Sequence, residues 1–317
     1  MLPRIIELIA QYETFLITSH IRLDGDAVGS ELALYHTLRG LGKEALIYNQ
    51  DQTPESYRFL PGAGSIVQNL RDPGKYDVVF VLDCSDLKRI GAPAEAIGGM
   101  PRIINIDHHV SNGGFCEVVY IDREASSTGE LIYRLIRQMG VPVTKDVANN
   151  LYAAILTDTG GFCYRNTKNQ TLLAAANLVE NGADPQWLSE NIYDNGPLAR
   201  IRLLTKALAT LTLDLDGKVG SMVVSRASLA ATGAQSDHTE GFVDILRTIK
   251  EVQVSILYLE LEENDYKLSF RSKGQTNVEQ VARRFGGGGH TNAAACQISG
   301  PLADIQRQVI DALSTVL

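Results

Sequence analysis

Several features that would assign a function at once are missing from this 317-residue sequence. It contains no G-x-x-x-x-G-K-[ST] phosphate loop, no G-x-G-x-x-G turn after a strand and no H-E-x-x-H motif, so the common nucleotide-binding and zinc-hydrolase motifs are excluded. No apolar run approaches the roughly 18 residues that a membrane-spanning helix needs, which argues against a membrane partner. Internal repeats and low-complexity segments are also missing, and the length of 317 residues predicts a globular protein of about two domains.

Cysteine and positive charge are both scarce. The four cysteines, which form no C-x-x-C pair, are Cys84, Cys116, Cys163 and Cys296. Reduced, mostly buried thiols in a cytoplasmic protein are therefore expected. Because the formal net charge is −8, no broad basic surface is available to hold a long nucleic acid. The N-terminal segment carries Arg4 and Glu7 within an apolar pattern, which predicts an amphipathic helix and not a signal peptide.

The most informative stretch is FLITSHIRLDGDAVGS, residues 15–30. Its first four residues form a short apolar run that predicts a buried strand, and a helix is predicted over residues 31–41. Between them lies a predicted glycine-rich turn that carries His20, Asp24 and Asp26. Such groups repel one another or lose hydration at close range unless a cation holds them together. A single aspartate at such a turn is usually only a helix cap, so the argument depends on recurrence.

The same pattern recurs three times, which favours a metal site over four coincidental caps. Apolar runs over residues 77–82, 102–106 and 151–157 are each followed by acids or imidazoles. The residues that follow these runs are Asp83 and Asp86, then Asp107, His108 and His109, then Asp158. Parallel strands end at one edge of an open α/β sheet, where ligands bind. Because residues 147–157 begin in a helical pattern, the last run is either a strand or a helix throughout.

The order of elements divides the chain into two domains. Residues 1–195 alternate strand-like and helical runs, which predicts an α/β domain with a mostly parallel sheet and flanking helices. The composition changes at Asn195-Gly196-Pro197, where a linker helix is predicted over residues 196–211. Residues 212–317 are predicted to form a smaller α+β domain with a mixed sheet, because hairpin patterns precede two helical ones.

A second glycine cluster, residues 286–289, directly precedes His290 in the second domain. Glycines let the backbone approach a ligand and point its N–H groups at an anion. Arg271, upstream in a predicted strand, suits a phosphate. A flexible turn beside an unrelated surface arginine explains the same residues equally well.

Together these residues resemble the DHH phosphoesterase superfamily, and the resemblance covers nearly the whole chain. The motifs that carry it are H-x-x-x-D-G-D-A-x-G-S at residues 20–30, Asp83, the triplet Asp107-His108-His109 with Ser111 and Asn112, Asp158, and the Gly-Gly-Gly-Gly-His near the C-terminus. The last motif is similar to the DHH-associated domain of the branch that contains nanoRNases, pAp phosphatases and RecJ. In its compact size the chain resembles the nanoRNase and pAp phosphatase group.

The resemblance implies two Mn²⁺ ions, with Mg²⁺ or Co²⁺ as alternatives. The implied ligands of one ion are His20, Asp24 and Asp83, and those of the second ion are Asp26, Asp83, His108 and Asp158. The implied catalytic residues are His109, as acid or phosphate contact, and Asp107, which supports the histidines. The implied substrate-binding residues are Arg271, Gly287, Gly288, Gly289 and His290. The residues that depart from the usual family pattern are Leu23, Cys163 and Ala295, and the last two leave the substrate fit open.

The implied activity is that of a metal-dependent phosphoesterase. It would hydrolyse short RNA or DNA oligonucleotides, or the phosphorylated nucleotide pAp, to nucleoside 5′-monophosphates by means of water that two metal ions activate. Mixed carboxylate and imidazole ligands suit Mn²⁺ better than Ca²⁺ or a thiolate-binding metal. Three alternatives stay open: a cyclic or linear dinucleotide phosphodiesterase, a pyrophosphatase or exopolyphosphatase, and a nucleotide-binding regulator without turnover. The resemblance argues against the pyrophosphatase, whose relatives carry a different C-terminal domain. The oligomeric state stays open, and a homodimer is compatible with the sequence.

Overall fold

Helices and strands alternate through the first part of the chain in a computed structural model that describes all of residues 1–317. The chain divides into two units, Met1–Asn195 and Gly196–Leu317. The helices of the first unit are α1 (Leu2–Gln11), α2 (Gly25–Gly40), α3 (Ala94–Gly98), α4 (Thr128–Met139), α5 (Lys145–Asp158), α6 (Asn169–Glu180) and α7 (Pro185–Tyr193). Its strands are β1 (Thr14–Thr18), β2 (Glu44–Tyr48), β3 (Ile66–Val67), β4 (Val78–Leu82), β5 (Ile103–Asp107) and β6 (Val118–Ile121).

The six strands of the first unit form one sheet in the order β3-β2-β1-β4-β5-β6. Every pairing is parallel, which confirms the predicted fold class for this domain. The chain winds outward in one direction from β1 and in the other from β4. In sheets of this order the crevice between those two central strands is where ligands bind. His20 and Asp83 follow these two strands, so the topology alone brings them to that crevice.

Both faces of this sheet are covered, which is why its central strands consist almost entirely of apolar residues. Phe15 and Phe80 face the large core that helices α2, α4 and α5 cover. Leu16 and Val79 point the other way, into a smaller cluster that includes Ile97 of α3. All five residues of β4 are buried, so the strand is held rigidly up to the point where the polar residues begin.

The structure corrects the predicted start of one helix and resolves one alternative that the sequence left open. Helix α2 begins at Gly25 and not at residue 31, so Asp26 lies in its first turn and not in a loop. The glycines that suggested a turn serve packing, because a Cβ atom at Gly25 or Gly29 would collide with α5. Residues 151–157 belong to helix α5, so the strand reading of this apolar run is wrong and the helical reading is confirmed.

The second unit contains five helices and six strands. The helices are α8 (Leu198–Leu208), α9 (Arg226–Thr232), α10 (Phe242–Arg247), α11 (Val278–Arg284) and α12 (Leu302–Leu313). The strands are β7 (Thr212–Asp214), β8 (Val219–Val224), β9 (Val254–Glu262), β10 (Asp265–Ser272), β11 (Gly288–His290) and β12 (Ala293–Ser299). The sheet has the order β11-β12-β10-β9-β8-β7, with β8 and β9 parallel and the other pairs antiparallel. The predicted mixed sheet is confirmed.

Helix α8, predicted as a linker, packs within the second unit. Its residues Leu203 and Ala207 are buried in a cluster with Met222 of β8 and Phe242 of α10. Helices α11 and α12 cover a separate core around Phe270. The sequence patterns gave no prediction for strands β3, β6, β11 and β12 or for helices α7, α9 and α10. None of the helices is long and apolar enough to span a bilayer.

Candidate metal centre

The side chain of Asp83 lies at the centre of a cluster of acids and imidazoles in the first unit. Its Oδ2 is 3.3 Å from His20 Nε2, and its Oδ1 is 3.6 Å from His108 Nε2. The same Oδ1 accepts a hydrogen bond from the Thr128 hydroxyl at 3.0 Å. Asp83 has a φ of +54°, a left-handed conformation that aspartate tolerates better than most residues and that is often found at functional sites. One carboxylate therefore faces two separate groups of ligating side chains.

His20 and Asp24 form the first of these groups. His20 Nε2 lies 3.7 Å from Asp24 Oδ2, while its Nδ1 is 2.9 Å from the carbonyl oxygen of Ile21. Because a carbonyl only accepts, Nδ1 carries the proton of the neutral ring and Nε2 keeps a free lone pair toward the carboxylates. Burial lowers the pKa of His20, which favours this neutral form. Asp24 Oδ1 caps helix α2 by accepting from the Ala27 N–H at 3.0 Å, which leaves Oδ2 for a ligand.

Asp26 is held by the N-terminus of helix α4. Its Oδ2 accepts from the Thr128 N–H at 2.7 Å, and its Oδ1 accepts from the Gly129 N–H at 2.8 Å and from the Ser30 hydroxyl at 3.1 Å. The partial positive charge of a helix N-terminus favours a carboxylate there. Glu130 supports this end of the helix by accepting hydrogen bonds from Ser126. The orientation of Asp26 is thus set by backbone groups 102 and 103 residues further along the chain.

His108 joins Asp26 and Asp158 in the second group. Its Nε2 lies 3.6 Å from Asp26 Oδ2 and 3.4 Å from Asp158 Oδ2. The ring also forms a hydrogen bond with the backbone of Ala125. Burial lowers the pKa of His108, but Asp158 and Asp26 outweigh burial and raise it above its usual value. Asp158 is the last residue of helix α5, so the helix and not a strand brings this carboxylate to the edge.

Asp107 orients His109. Its Oδ1 accepts from the backbone N–H of His108 at 2.8 Å and lies 2.7 Å from Nδ1 of His109, while its Oδ2 accepts from the Asn112 amide at 2.6 Å. Burial raises the pKa of Asp107, but these hydrogen bonds outweigh burial and hold it well below its usual range. An ionised Asp107 fixes the proton of His109 on Nδ1, so Nε2 is the atom left for other partners. Asp107 is therefore held by Asn112 and acts through His109.

The donor set fits divalent cations. Three groups within the first unit bring their ligand atoms within 4.8 Å of one another: His20, Asp24 and Asp83; Asp26, Asp83 and His108; Asp83, Asp107 and His109. The separations of 3.3 to 3.7 Å in the first two groups are long for hydrogen bonds. They suit atoms that bind one ion, since ligands about 2.1 Å from a shared ion lie roughly 3.0–3.5 Å apart.

The electrostatics of the buried carboxylates favour the same conclusion. Burial raises the pKa of Asp26 well above its usual range, and the neighbouring Asp83 raises it further. Burial likewise raises the pKa of Asp83, with His109 opposing and Asp24 adding to the effect. Keeping such acids ionised side by side is unfavourable unless a cation balances their charge. A structural ion pair does not explain the cluster, because its carboxylates outnumber its imidazoles.

The predicted substrate-binding residues lie in the second unit. Arg271, on β10, donates to the carbonyl of Phe270 at 3.1 Å, and its Nε is 3.7 Å from Asp244 Oδ1. Gly288 and His290 are the end residues of β11. The close approach of β12 leaves no room for a Cβ atom at Gly287 or Gly289, whereas Gly288 faces open space. Packing against β12 thus explains why glycine is needed at two of these three positions, whether or not they also contact a ligand.

Sequence reasoning missed two residues that act on the ligands. Thr128 contacts Asp26 through its N–H and Asp83 through its hydroxyl. Asn112 donates to Asp107, although the sequence offered it only as part of a motif. The hydroxyl-rich start of helix α4 was a signal for capping, and Ser127 does cap that helix. Which hydroxyl would face the carboxylates could not be read from that signal.

Comparison with known proteins agrees with this geometry. The model of the DHH family N-terminal domain matches residues 14–155, and that of the DHHA1 domain matches residues 220–316. The bifunctional oligoribonuclease and PAP phosphatase NrnA of Thermus thermophilus is 32% identical over 285 residues, which are 90% of this chain and 84% of that protein. The protein of the same name from Bacillus subtilis is 27% identical over 303 residues, 94% of this chain and 93% of its own.

A solved structure supports the same relationship. It is described as an exopolyphosphatase-related protein from Bacteroides fragilis, with a TM-score of 0.91 at 28% identity. The match covers 99% of this chain and 95% of that one. The predicted resemblance is confirmed by both domain models and by relatives that match over nearly their whole length. The chain therefore belongs to the DHH family of phosphoesterases and carries a DHHA1 domain.

Proposed function

We propose that the chain hydrolyses short oligonucleotides and pAp to nucleoside 5′-monophosphates. The observation that carries this proposal is the position of Asp83, whose two oxygens face two separate groups of acids and imidazoles. The relatives from Thermus thermophilus and Bacillus subtilis are both named as a bifunctional oligoribonuclease and PAP phosphatase, which supports this substrate class. The net charge of −8 favours short substrates, because a long nucleic acid needs a basic surface.

The DHH family is metal-dependent, and we assign two cations to this edge. His20, Asp24 and Asp83 would hold one ion, and Asp26, Asp83, His108 and Asp158 would hold the other. Mn²⁺ is the metal that this mixture of carboxylates and imidazoles suits best, ahead of Mg²⁺ and Co²⁺. Bound together, two such ions supply an activated water and neutralise charge at phosphorus.

The protein's own residues supply the remaining chemistry. Asp107 holds Nδ1 of His109, so Nε2 would be the atom that contacts a phosphate oxygen or protonates the leaving oxygen. The backbone of helix α4 keeps Asp26 in place without a change of geometry during the reaction. This fixed carboxylate would keep a bound cation in place, so no reorganisation is needed when charge develops at phosphorus.

Replacing Thr128 by valine is expected to weaken metal binding by about 10- to 100-fold. Valine has nearly the shape of threonine but lacks the hydroxyl that donates to Asp83 Oδ1. The backbone N–H to Asp26 is kept, so the change isolates one hydrogen bond. Activity measured as a function of Mn²⁺ concentration, together with calorimetric titration of the ion, tests this. Thr128→Ser keeps the hydroxyl and should resemble the wild type; equal metal affinity in the valine variant would contradict the assignment.

Replacing Arg271 by alanine is expected to lower kcat/KM by about 10- to 100-fold, because a charge-assisted phosphate contact contributes roughly 1.5–3 kcal/mol. Metal content should be unchanged. Arg247→Ala is the matched control, because Arg247 pairs with the same Asp244, at 3.4 Å, and its side chain is equally exposed. Equal losses in both variants would show that the Asp244 pairing, and not substrate binding, explains the effect.

One substrate panel tests the proposed function. Purified protein loaded with Mn²⁺ is assayed against pAp, a 5′-phosphorylated dinucleotide, a 24-mer of the same composition, cyclic dinucleotides and pyrophosphate. We expect the highest kcat/KM for pAp and the dinucleotide, and a steep fall for the 24-mer. Preference for cyclic dinucleotides or pyrophosphate would reassign the substrate, and equal rates per end on dinucleotide and 24-mer would exclude the short-substrate proposal. No turnover of any substrate would favour a nucleotide-binding regulator.

A further inference from the structure

Arg89 lies beside the candidate metal centre, although no sequence motif pointed to it. It belongs to the short 3₁₀ turn Leu87–Ile90, which follows strand β4 and Asp83. The N–H of Ile21 donates to the carbonyl oxygen of Arg89 at 2.7 Å. Because Ile21 directly follows His20, this hydrogen bond ties Arg89 to the loop that carries the first group of ligands.

The loop between β4 and Arg89 is held in one conformation. The carboxylate of Asp86 accepts from the Lys88 N–H at 2.8 Å and so starts the 3₁₀ turn. The carbonyl of Cys84 accepts from the side-chain amides of Asn105 and Asn112 at 3.1 and 3.2 Å. The backbone of the loop, including Arg89, is therefore held in place against the sheet.

The side chain of Arg89 is half-buried but has no hydrogen bond or ion pair within the first unit. Its positive charge acts on His20 and Asp24, yet it forms an ion pair with neither. A partly buried arginine is normally paired with an acid, and this chain has 37 acids for 29 lysines and arginines. An unpaired cation on a backbone that is held next to a cluster of ligands therefore indicates a place for an anion.

We propose that Arg89 binds a non-bridging phosphate oxygen of the substrate at the edge where the reaction occurs. This inference rests on the proposed function and adds a substrate contact within the first unit. The planar guanidinium offers two parallel N–H donors to a phosphate, which a lysine ammonium does not reproduce. It also balances the charge of an anion that must approach a group of carboxylates.

Inorganic phosphate is the probe that tests this proposal without turnover. Wild type, Arg89→Ala, Arg89→Lys and Lys88→Ala, each loaded with Mn²⁺, are titrated with phosphate by calorimetry, and their metal content is determined by elemental analysis. We expect phosphate to bind Arg89→Ala at least tenfold more weakly than wild type, with Arg89→Lys in between. Lys88→Ala should match the wild type, because the Lys88 side chain is exposed and only its backbone groups hydrogen-bond within the turn. All four proteins should contain the same amount of metal.

Three outcomes would overturn the assignment. Equal phosphate affinity in wild type and Arg89→Ala would show that Arg89 does not contact the anion, as would undetectable phosphate binding by the metal-loaded wild type. A loss of metal in Arg89→Ala would show instead that Arg89 positions the His20 loop. Failure of the proposed function is a separate result: it appears as absent turnover in the substrate panel and leaves the phosphate titration readable.

Discussion

Replacing Asp83 by asparagine is expected to lower phosphoester hydrolysis by on the order of 10³-fold or more. The physical reason is that Asp83 Oδ2 faces His20 while Oδ1 faces His108, so both proposed ions depend on one carboxylate. Asparagine keeps the size of the side chain and tolerates the φ of +54°, so the backbone should not change. The measurement is the rate of pAp hydrolysis at saturating Mn²⁺.

Metal binding gives this prediction a second, independent measurement. Mn²⁺ should raise the melting temperature of the wild type, since a ligand at 100 times its Kd stabilises the folded state by about 2.7 kcal/mol. In Asp83→Asn the shift should be largely lost, and elemental analysis should find fewer ions. Asp86→Asn is the matched control, because it lies in the same loop and asparagine also caps a helical turn. Full wild-type activity in excess EDTA after dialysis would refute the two-metal assignment.

Replacing His109 by alanine is expected to lower kcat by about 10²- to 10⁴-fold while both ions stay bound. His109 is hydrogen-bonded through Nδ1 to Asp107 at 2.7 Å, so Nε2 is the atom that we propose for contact with the reacting phosphate. His108 differs, because its Nε2 lies 3.6 Å from Asp26 and 3.4 Å from Asp158. Replacing His108 by alanine should therefore remove an ion, and the loss of activity follows from that.

The two histidines serve as controls for each other, because they are adjacent in the chain and differ in partners. Elemental analysis and steady-state kinetics on both variants separate the two roles. A His109→Ala variant with unchanged kcat would mean that Nε2 takes no part in the reaction. A His108→Ala variant that retains both ions would show that the ligand assignment is wrong. Asn112→Ala should resemble a weaker form of the His109 variant, since Asn112 helps hold Asp107.

The sequence predicted the framework of the site because the relevant signals are local. Apolar runs marked β1, β4 and β5, and each is followed by an acid or an imidazole. Since strands in a parallel sheet end at one edge, the ends of these runs predict where His20, Asp83 and His108 meet. The structure brings those residues together.

Local signals failed where packing decides between two structures. The apolar residues 151–157 suit a buried strand or a buried helix, because both remove the same side chains from water. Contact with α2 resolves this: Gly29 and Gly25 allow a helix to lie directly against α2. Asp158 therefore reaches the site from the end of a helix. Asp158 was predicted correctly as a candidate ligand, and of the two elements that the sequence left open, the helix carries it.

The sequence by itself determined the family, the type of sheet and the residues with metal-binding chemistry, since these depend on residue type and spacing. Only the tertiary structure decided how those residues are oriented. The N–H and hydroxyl of Thr128 reach Asp26 and Asp83 from a helix that is distant in the chain, and Arg89 is placed by a hydrogen bond to the loop after β1. Such contacts depend on how helices and loops pack against the sheet. Local patterns in the sequence do not predict them, because the partners are far apart in the chain.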